Sequence, residues 1–312
     1  TLTNEGTVEN GTYTAETGAM TVKNSGKLSS GTYTAKAGTM GITNQGTIEN
    51  GEYTSHGNLT YTDTAGASLS GGTLISEEGK AQVTAHGVLQ IKKLSAKNSA
   101  TVEADQDVTL TEAEAGTLVI SSGGSVNAET LTATTGDAKV KAKTNVTIGT
   151  LTAETGGATI EATDGALGVT TLNAKSLTAK AGTTLDATKI HTAGDAGLMS
   201  GSDMILHEAE AGGKLMMSAG GSISVKGTDA KISGSTIEMT AKEDIRITDR
   251  SPVGKLEGVD TSVPAGSTTG SGAAGSLVTG EAKPHDFDAS GKGSALLSSA
   301  GGKVTLSAKK VE

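Results

Sequence analysis

Residues 1–60 read TLTNEGTVENGTYTAETGAM (1–20), TVKNSGKLSSGTYTAKAGTM (21–40) and GITNQGTIENGEYTSHGNLT (41–60), three units of twenty residues with no gap between them. Asn4, Asn24 and Asn44 share one position of the unit, and Gly6, Gly26 and Gly46 share another. Gly11, Gly31 and Gly51 form a third column, and Tyr13, Tyr33 and Tyr53 a fourth. A short fixed period built from glycine and strand formers marks a repeat architecture, in which each unit packs only on its neighbours. The period therefore decides the fold class.

A looser version continues to about residue 250, with a period of about nineteen residues. Within one period Val140/Ala142, Val146/Ile148 and Leu151/Ala153 alternate with polar residues; Ile160/Ala162, Leu167/Val169 and Leu172/Ala174 do so in the next. Later come Leu215/Met217 with Ile223/Val225, and Ile237/Met239 with Ile245/Ile247. Alternation over such short runs predicts strands with one buried face. Three of them per period, separated by Gly, Asn, Asp or Ser corners, predict an all-β chain coiled as a right-handed parallel β-helix. Thr, Ser, Val and Gly dominate, and all are poor helix formers. The expected core includes Val8, Val22, Leu28, Ile42, Ile48, Val102, Val140, Ile148, Ile160, Val169, Leu215, Ile223, Ile237 and Ile245.

Composition agrees with a solenoid. Aromatic residues make up 2% of the 312, with no Trp and one Phe. A globular core leans on aromatics for buried area, whereas a narrow solenoid is filled by stacked aliphatics. The net charge of −9 and the scattering of Lys and Arg among acids argue against a nucleic-acid partner, which requires a basic stripe. There is no cysteine, so disulfides supply no stability. No apolar run approaches the length of a membrane span, and Thr1 falls inside a repeat, so we expect an internal piece of a longer chain that does not itself span a membrane.

The chain divides by pattern. Residues 1–80 hold the regular repeats and a transitional coil in which Leu74 takes the tyrosine place after a one-residue insertion. Residues 81–250 hold the degenerate repeats. Residues 251–293 contain Pro252, Pro264 and Pro284 with GSTTGSGAAGS, and read as a loop outside the coil, since Pro cannot donate to a ladder. Residues 294–312 resume the coil, where LLSSAGGKVTL (296–306) echoes LMMSAGGSISV (215–225).

Parity places Asn4, Asn24 and Asn44 inward with Leu2, Val22 and Ile42, where stacked amides can bond to one another along the axis at about 4.8 Å. The glycines two residues on are expected to supply turn freedom. Tyr13, Tyr33 and Tyr53 form a second column. Leu74 at its next position favours an inward stack; an outward aromatic ladder for a ligand is the alternative.

The repeats, the corners of Gly, Asn and Ser, and phrases such as AGGKLMMSAGGSISVKG (211–227) and STIEMTAKEDIRIT (235–248) resemble the filamentous haemagglutinin-type exoproteins of Gram-negative bacteria, adhesins and contact-dependent toxin carriers of two-partner secretion. The resemblance covers residues 1–250 and 294–312, and the family's N-terminal secretion motif, Asn-Pro-Asn-Leu, is absent. It implies a β-helical shaft segment exported through an outer-membrane β-barrel transporter and displayed on the bacterial surface. There it would meet a receptor or glycan on a host, bacterial or matrix surface, or associate with itself laterally or end to end.

Some β-helices cleave polysaccharides with paired carboxylates, and acidic pairs occur at Asp105/Asp107, Glu112/Glu114, Glu208/Glu210 and Glu243/Asp244. None is accompanied by the Arg, His and aromatic residues of a sugar-cleaving groove, so these acids are expected to be solvated charges at corners. Asp105 and Asp107 could contribute to calcium, but the nonapeptide repeat of calcium β-rolls is missing. Gly270, Gly272 and Gly275 match GxGxxG in a linker with neither strand before nor helix after, which deprives the motif of its mechanism. We thus expect no catalytic residue, no metal and no cofactor. His285, Asp286, Phe287 and Asp288 form a candidate partner-contact loop.

Overall fold

The computed structural model describes residues 1–227 and 230–248, together with the backbone of the strands Gly275–Val278, Leu296–Ser299, Val304–Ala308 and Lys310–Val311. Among these residues there is no helix; the fold is a right-handed parallel β-helix of about twelve turns. The chain divides into two compact units, Thr1–Thr163 and Asp164–Glu312.

In the first unit every turn contributes a rung to each of three faces. One face stacks Leu2, Val22, Ile42, Tyr61, Val83 and Val102 in register, continuing through Ile120 and Val140 to Ile160. A second stacks Val8, Leu28, Ile48, Leu69, Leu89, Val108, Val126 and Val146. The third stacks the tyrosines, then Leu74, Leu94, Ala113, Leu131 and Leu151. Inward positions thus hold like residues over like, and each fully buried aliphatic contributes about 1.5–3 kcal/mol. Every residue of the expected core is buried except Val8, which is half-buried because its strand has a described neighbour on one side only.

The one-residue insertion before Leu74 appears as a register shift between Ser70 and Gly72, with Gly71 at φ 75°. Several strands from Val88 onward run through a corner rather than stopping at it. Val88–Ala104 is one strand, and its burial alternation slips at Lys92/Lys93 and again at Lys97/Asn98, where the chain turns while staying extended.

The second unit repeats the scheme. Leu167, Leu185, Met204, Ile223 and Ile245 stack on one face, and Leu172, Ile190, Ala209 and Ile232 on another. On the third, Leu177, Ala196, Leu215 and Ile237 are followed by Val304. Leu296–Ser299 pairs with Lys231–Gly234, and Lys310–Val311 with Asp244–Thr248. The echo between 296–306 and 215–225 is therefore not a register: Val304 lies over Ile237 and Leu215, not on the Ile223 face. Gly275–Val278 runs antiparallel to Val304–Ala308, whereas the coil strands pair in parallel. Pro252, Pro264, Pro284 and the loop His285, Asp286, Phe287, Asp288 lie outside the described residues.

The glycine expectation needs correction. Gly6, Gly26 and Gly46 do not have positive φ; that conformation falls on Asn10, Ser30 and Asn50, at 54°, 54° and 50°. Gly26 and Gly46 are required by stacking instead. A Cβ on Gly26 would lie 1.9 Å from the Gly6 carbonyl oxygen, and one on Gly46 2.0 Å from that of Gly26.

Candidate functional site

Two internal columns come directly from the regular repeat. Asn4, Asn24 and Asn44 are buried, and their amides form a ladder. Asn4 Nδ2 donates to Asn24 Oδ1 at 2.8 Å, and Asn24 Nδ2 to Asn44 Oδ1 at 2.8 Å. Each amide nitrogen also bonds a carbonyl in the following turn: Lys27 for Asn4, Thr47 for Asn24 and Ser68 for Asn44. A buried amide is costly unless satisfied, and the twenty-residue repeat supplies its partner one turn away.

The ladder does not stop at Asn44. Asn44 Nδ2 donates to the Tyr61 hydroxyl at 3.1 Å, and that hydroxyl donates to Asp63 Oδ2 at 3.2 Å. Asp63, 1% exposed, occupies the place of the next asparagine and accepts the backbone N–H of His86 at 2.5 Å and of Gly87 at 3.3 Å. Sequence reasoning missed Tyr61 and Asp63. The signal was present: Tyr61-Thr-Asp63 repeats the spacing of Ile42-Thr-Asn44, displaced because that unit is nineteen residues long.

The tyrosines take the inward of their two orientations. Rings of Tyr13 and Tyr33 stack at 5.2 Å and 10°, and those of Tyr33 and Tyr53 at 4.6 Å and 5°. Tyr33 and Tyr53 are fully buried, and their hydroxyls have no hydrogen-bond partner among the described residues. Burial pushes the phenols of Tyr33, Tyr53 and Tyr61 above the ordinary tyrosine range. Each stacked ring folds back over the glycine two residues earlier: a Cβ on Gly31 would meet the Tyr33 hydroxyl at 2.5 Å.

Outside, the charged residues bridge successive turns. Lys36 pairs with Glu16 at 2.8 Å, Lys27 with Glu49 at 2.9 Å, and Lys141 with Glu161 at 3.3 Å. Lys97 pairs with Glu78, and Lys214 with Glu238 at 2.9 Å. The acidic pairs join this lattice. Glu112 bonds Lys93 at 2.9 Å, Glu208 bonds Lys189 at 3.3 Å, and Glu210 lies between His191 and Lys231. Hydrogen bonding from Lys231 holds the Glu210 carboxyl below its usual range. Asp244 pairs with Arg246 at 2.7 Å. Three histidines are engaged likewise: His56 with Glu77 at 3.5 Å, His86 with Asp105 at 2.7 Å and His191 with Glu210 at 3.3 Å. The Asp105 carboxylate raises the His86 imidazole pKa.

Asp105 and Asp107 border a shallow concavity of about 470 Å³ lined by Val88, Leu89, Gln90, Gln106, Thr109 and Gly124. Their carboxylates are turned to other work. Asp105 faces His86, and Asp107 Oδ1 accepts the Ser125 backbone N–H at 2.6 Å. Among the described residues no group of three or more His, Cys, Asp and Glu is placed to hold a metal ion. No helix of the described residues is long and apolar enough to cross a membrane.

No family model matches the chain, and no curated protein and no solved structure matches it.

Proposed function

We propose that this chain is a non-enzymatic shaft segment of a bacterial cell-surface fibre, exported through an outer-membrane β-barrel transporter and acting in adhesion or in holding a distal module away from the membrane. The observation that carries this reading is the use made of the acidic residues. Glu112, Glu208, Glu210 and Asp244 are each bound to a base, three of them one turn away. An acid paired with the neighbouring turn serves the coil, and a uniform core beneath it gives the same coil repeatedly. The resemblance of the repeats to filamentous haemagglutinin-type exoproteins supports the location and the export route.

A second reading, polysaccharide binding or cleavage, draws on one feature: the concavity at Asp105 and Asp107 beside Val88, which is 49% exposed. A glycan array combined with a polysaccharide-cleavage assay separates the two. The shaft reading expects no new reducing ends from any polysaccharide. Reproducible cleavage that disappears in Asp105→Asn or Asp107→Asn would replace it with the second.

A further inference from the structure

Large apolar side chains are exposed at four positions among the described residues, and two of them, Met199 (43%) and Met216 (45%), share one face of the second unit. Met199 lies on the strand Ala196–Ser200 and Met216 on the adjacent Lys214–Ala219. The register sets Gly197 beside Met216 and Met199 beside Ser218. Large and small residues thus alternate diagonally across two neighbouring strands. At the strand entry, Asp195 lies beside Lys214, whose backbone N–H it accepts at 2.7 Å.

Gly197 has no reason within the coil to be glycine. A Cβ there would meet only the Leu177 carbonyl oxygen, at 3.8 Å, an ordinary contact, whereas one on Gly201 or Gly220 would strike backbone at 2.0 and 2.2 Å. Its φ is not positive either. A glycine inside a strand costs stability and marks a bulge, a tight bend or a close approach by another group; the register at Gly197 is unbroken on both sides, which leaves the close approach. Gly41 is similarly open, but its partners across the strands are Thr21 and Thr60, so no apolar knob accompanies it.

From this pattern we infer that the face is a self-complementary docking surface for a second copy of this chain. A two-fold axis along the strand direction, midway between the two strands, places each residue of one strand over its register partner on the other. Met216 then sits over Gly197 of the second copy, Met199 over Ser218, and Lys214 over Asp195, each twice by symmetry. One row out, Thr178 faces Glu238. Facing sheets pack about 10 Å apart, a gap that a methionine opposite a small residue fills and two opposed methionines overfill. Size matches under this one operation and so does charge, since it sets Lys214 between Glu238 of its own chain, 2.9 Å away, and Asp195 of the second copy; the two solenoids run antiparallel.

Because the chain contains no cysteine, disulfide trapping reads this geometry without background. Thr178→Cys and Glu238→Cys chains are mixed under mild oxidation, with the yield of cross-linked dimer measured on gels and the fold checked by circular dichroism. A mixed disulfide forms between the two variants, while either alone gives little. Adding Gly197→Met to both, which the coil itself accommodates, lowers the yield at least about tenfold by overfilling the pocket. Met216→Ser lowers it comparably. Folded proteins that give no mixed disulfide, that cross-link equally well with Gly197→Met, or that join Thr178→Cys instead to Lys180→Cys would overturn the inference.

Discussion

Asn44 and Tyr61 meet through an amide-to-phenol hydrogen bond of 3.1 Å, and at that contact a ladder of identical amides gives way to a buried carboxylate. Above it the coil repeats in steps of twenty residues; below it the asparagine corner is replaced by Asp63 and then Ala85. Tyr61 adapts the two, accepting from the last amide and donating to Asp63.

Removing the middle of the ladder should be felt on both sides. Asn24→Leu takes the acceptor from Asn4 and the donor from Asn44, although both keep other partners. We expect a loss of about 1–3 kcal/mol, the cost of a buried polar group left short of a bond. Urea unfolding measures it, and a change under 0.3 kcal/mol would show that the ladder is incidental.

The tyrosine hydroxyls should divide into two classes. Those of Tyr33 and Tyr53 are buried without a partner, so Tyr33→Phe and Tyr53→Phe remove an unsatisfied group and leave stability unchanged or raise it by up to about 1 kcal/mol. Tyr61→Phe removes the link between Asn44 and Asp63 and should cost about 1–3 kcal/mol. Equal effects at all three positions would contradict the assignment.

Burial raises the phenol pKa of Tyr33, Tyr53 and Tyr61, so at alkaline pH the folded state binds more protons than the unfolded one. Stability is then fully present below the unfolded tyrosine value of about 10 and falls as pH rises beyond it. Ultraviolet titration should show these three phenolates appearing together with the loss of β-sheet circular dichroism. Their smooth ionisation in a folded protein would contradict the burial.

Two interior glycines offer an internal control. A Cβ on Gly41 meets nothing within 4 Å, whereas on Gly26 it strikes the Gly6 carbonyl oxygen at 1.9 Å. Gly41→Ala should therefore stay within about 0.5 kcal/mol of the parent, and Gly26→Ala should cost more than about 3 kcal/mol. Thermal melts of the pair decide it.

These contrasts show where the sequence was legible. The coil, its three faces and the positions of the Asn and Tyr columns are readable because a twenty-residue period copies each residue onto its own spatial neighbour. Tyr61 and Asp63 escaped because that unit is one residue shorter and a different residue type fills the asparagine corner. The reason for Gly26 escaped as well. In a sequence, turn freedom and close backbone stacking both appear as an aligned glycine, and only the distance to the turn before separates them. The echo at 296–306 does not by itself choose a face, because neighbouring faces of a solenoid share composition and similar phrases need not share a register. The outer ion pairs were hidden because Lys and Glu one turn apart lie about twenty residues apart in the chain.

The central claim, that the repeats are equivalent coils stacked in register, is tested most directly by deleting one whole repeat. Removing residues 21–40 joins Met20 to Gly41 and brings Asn4 over Asn44 and Tyr13 over Tyr53 in the original register. Thermal unfolding followed by circular dichroism should give a cooperative β-sheet transition within about 2 °C of the parent, the shift expected for about 1 kcal/mol or less in a chain of this size. A deleted chain that has lost its sheet signal or its cooperative transition would contradict the claim.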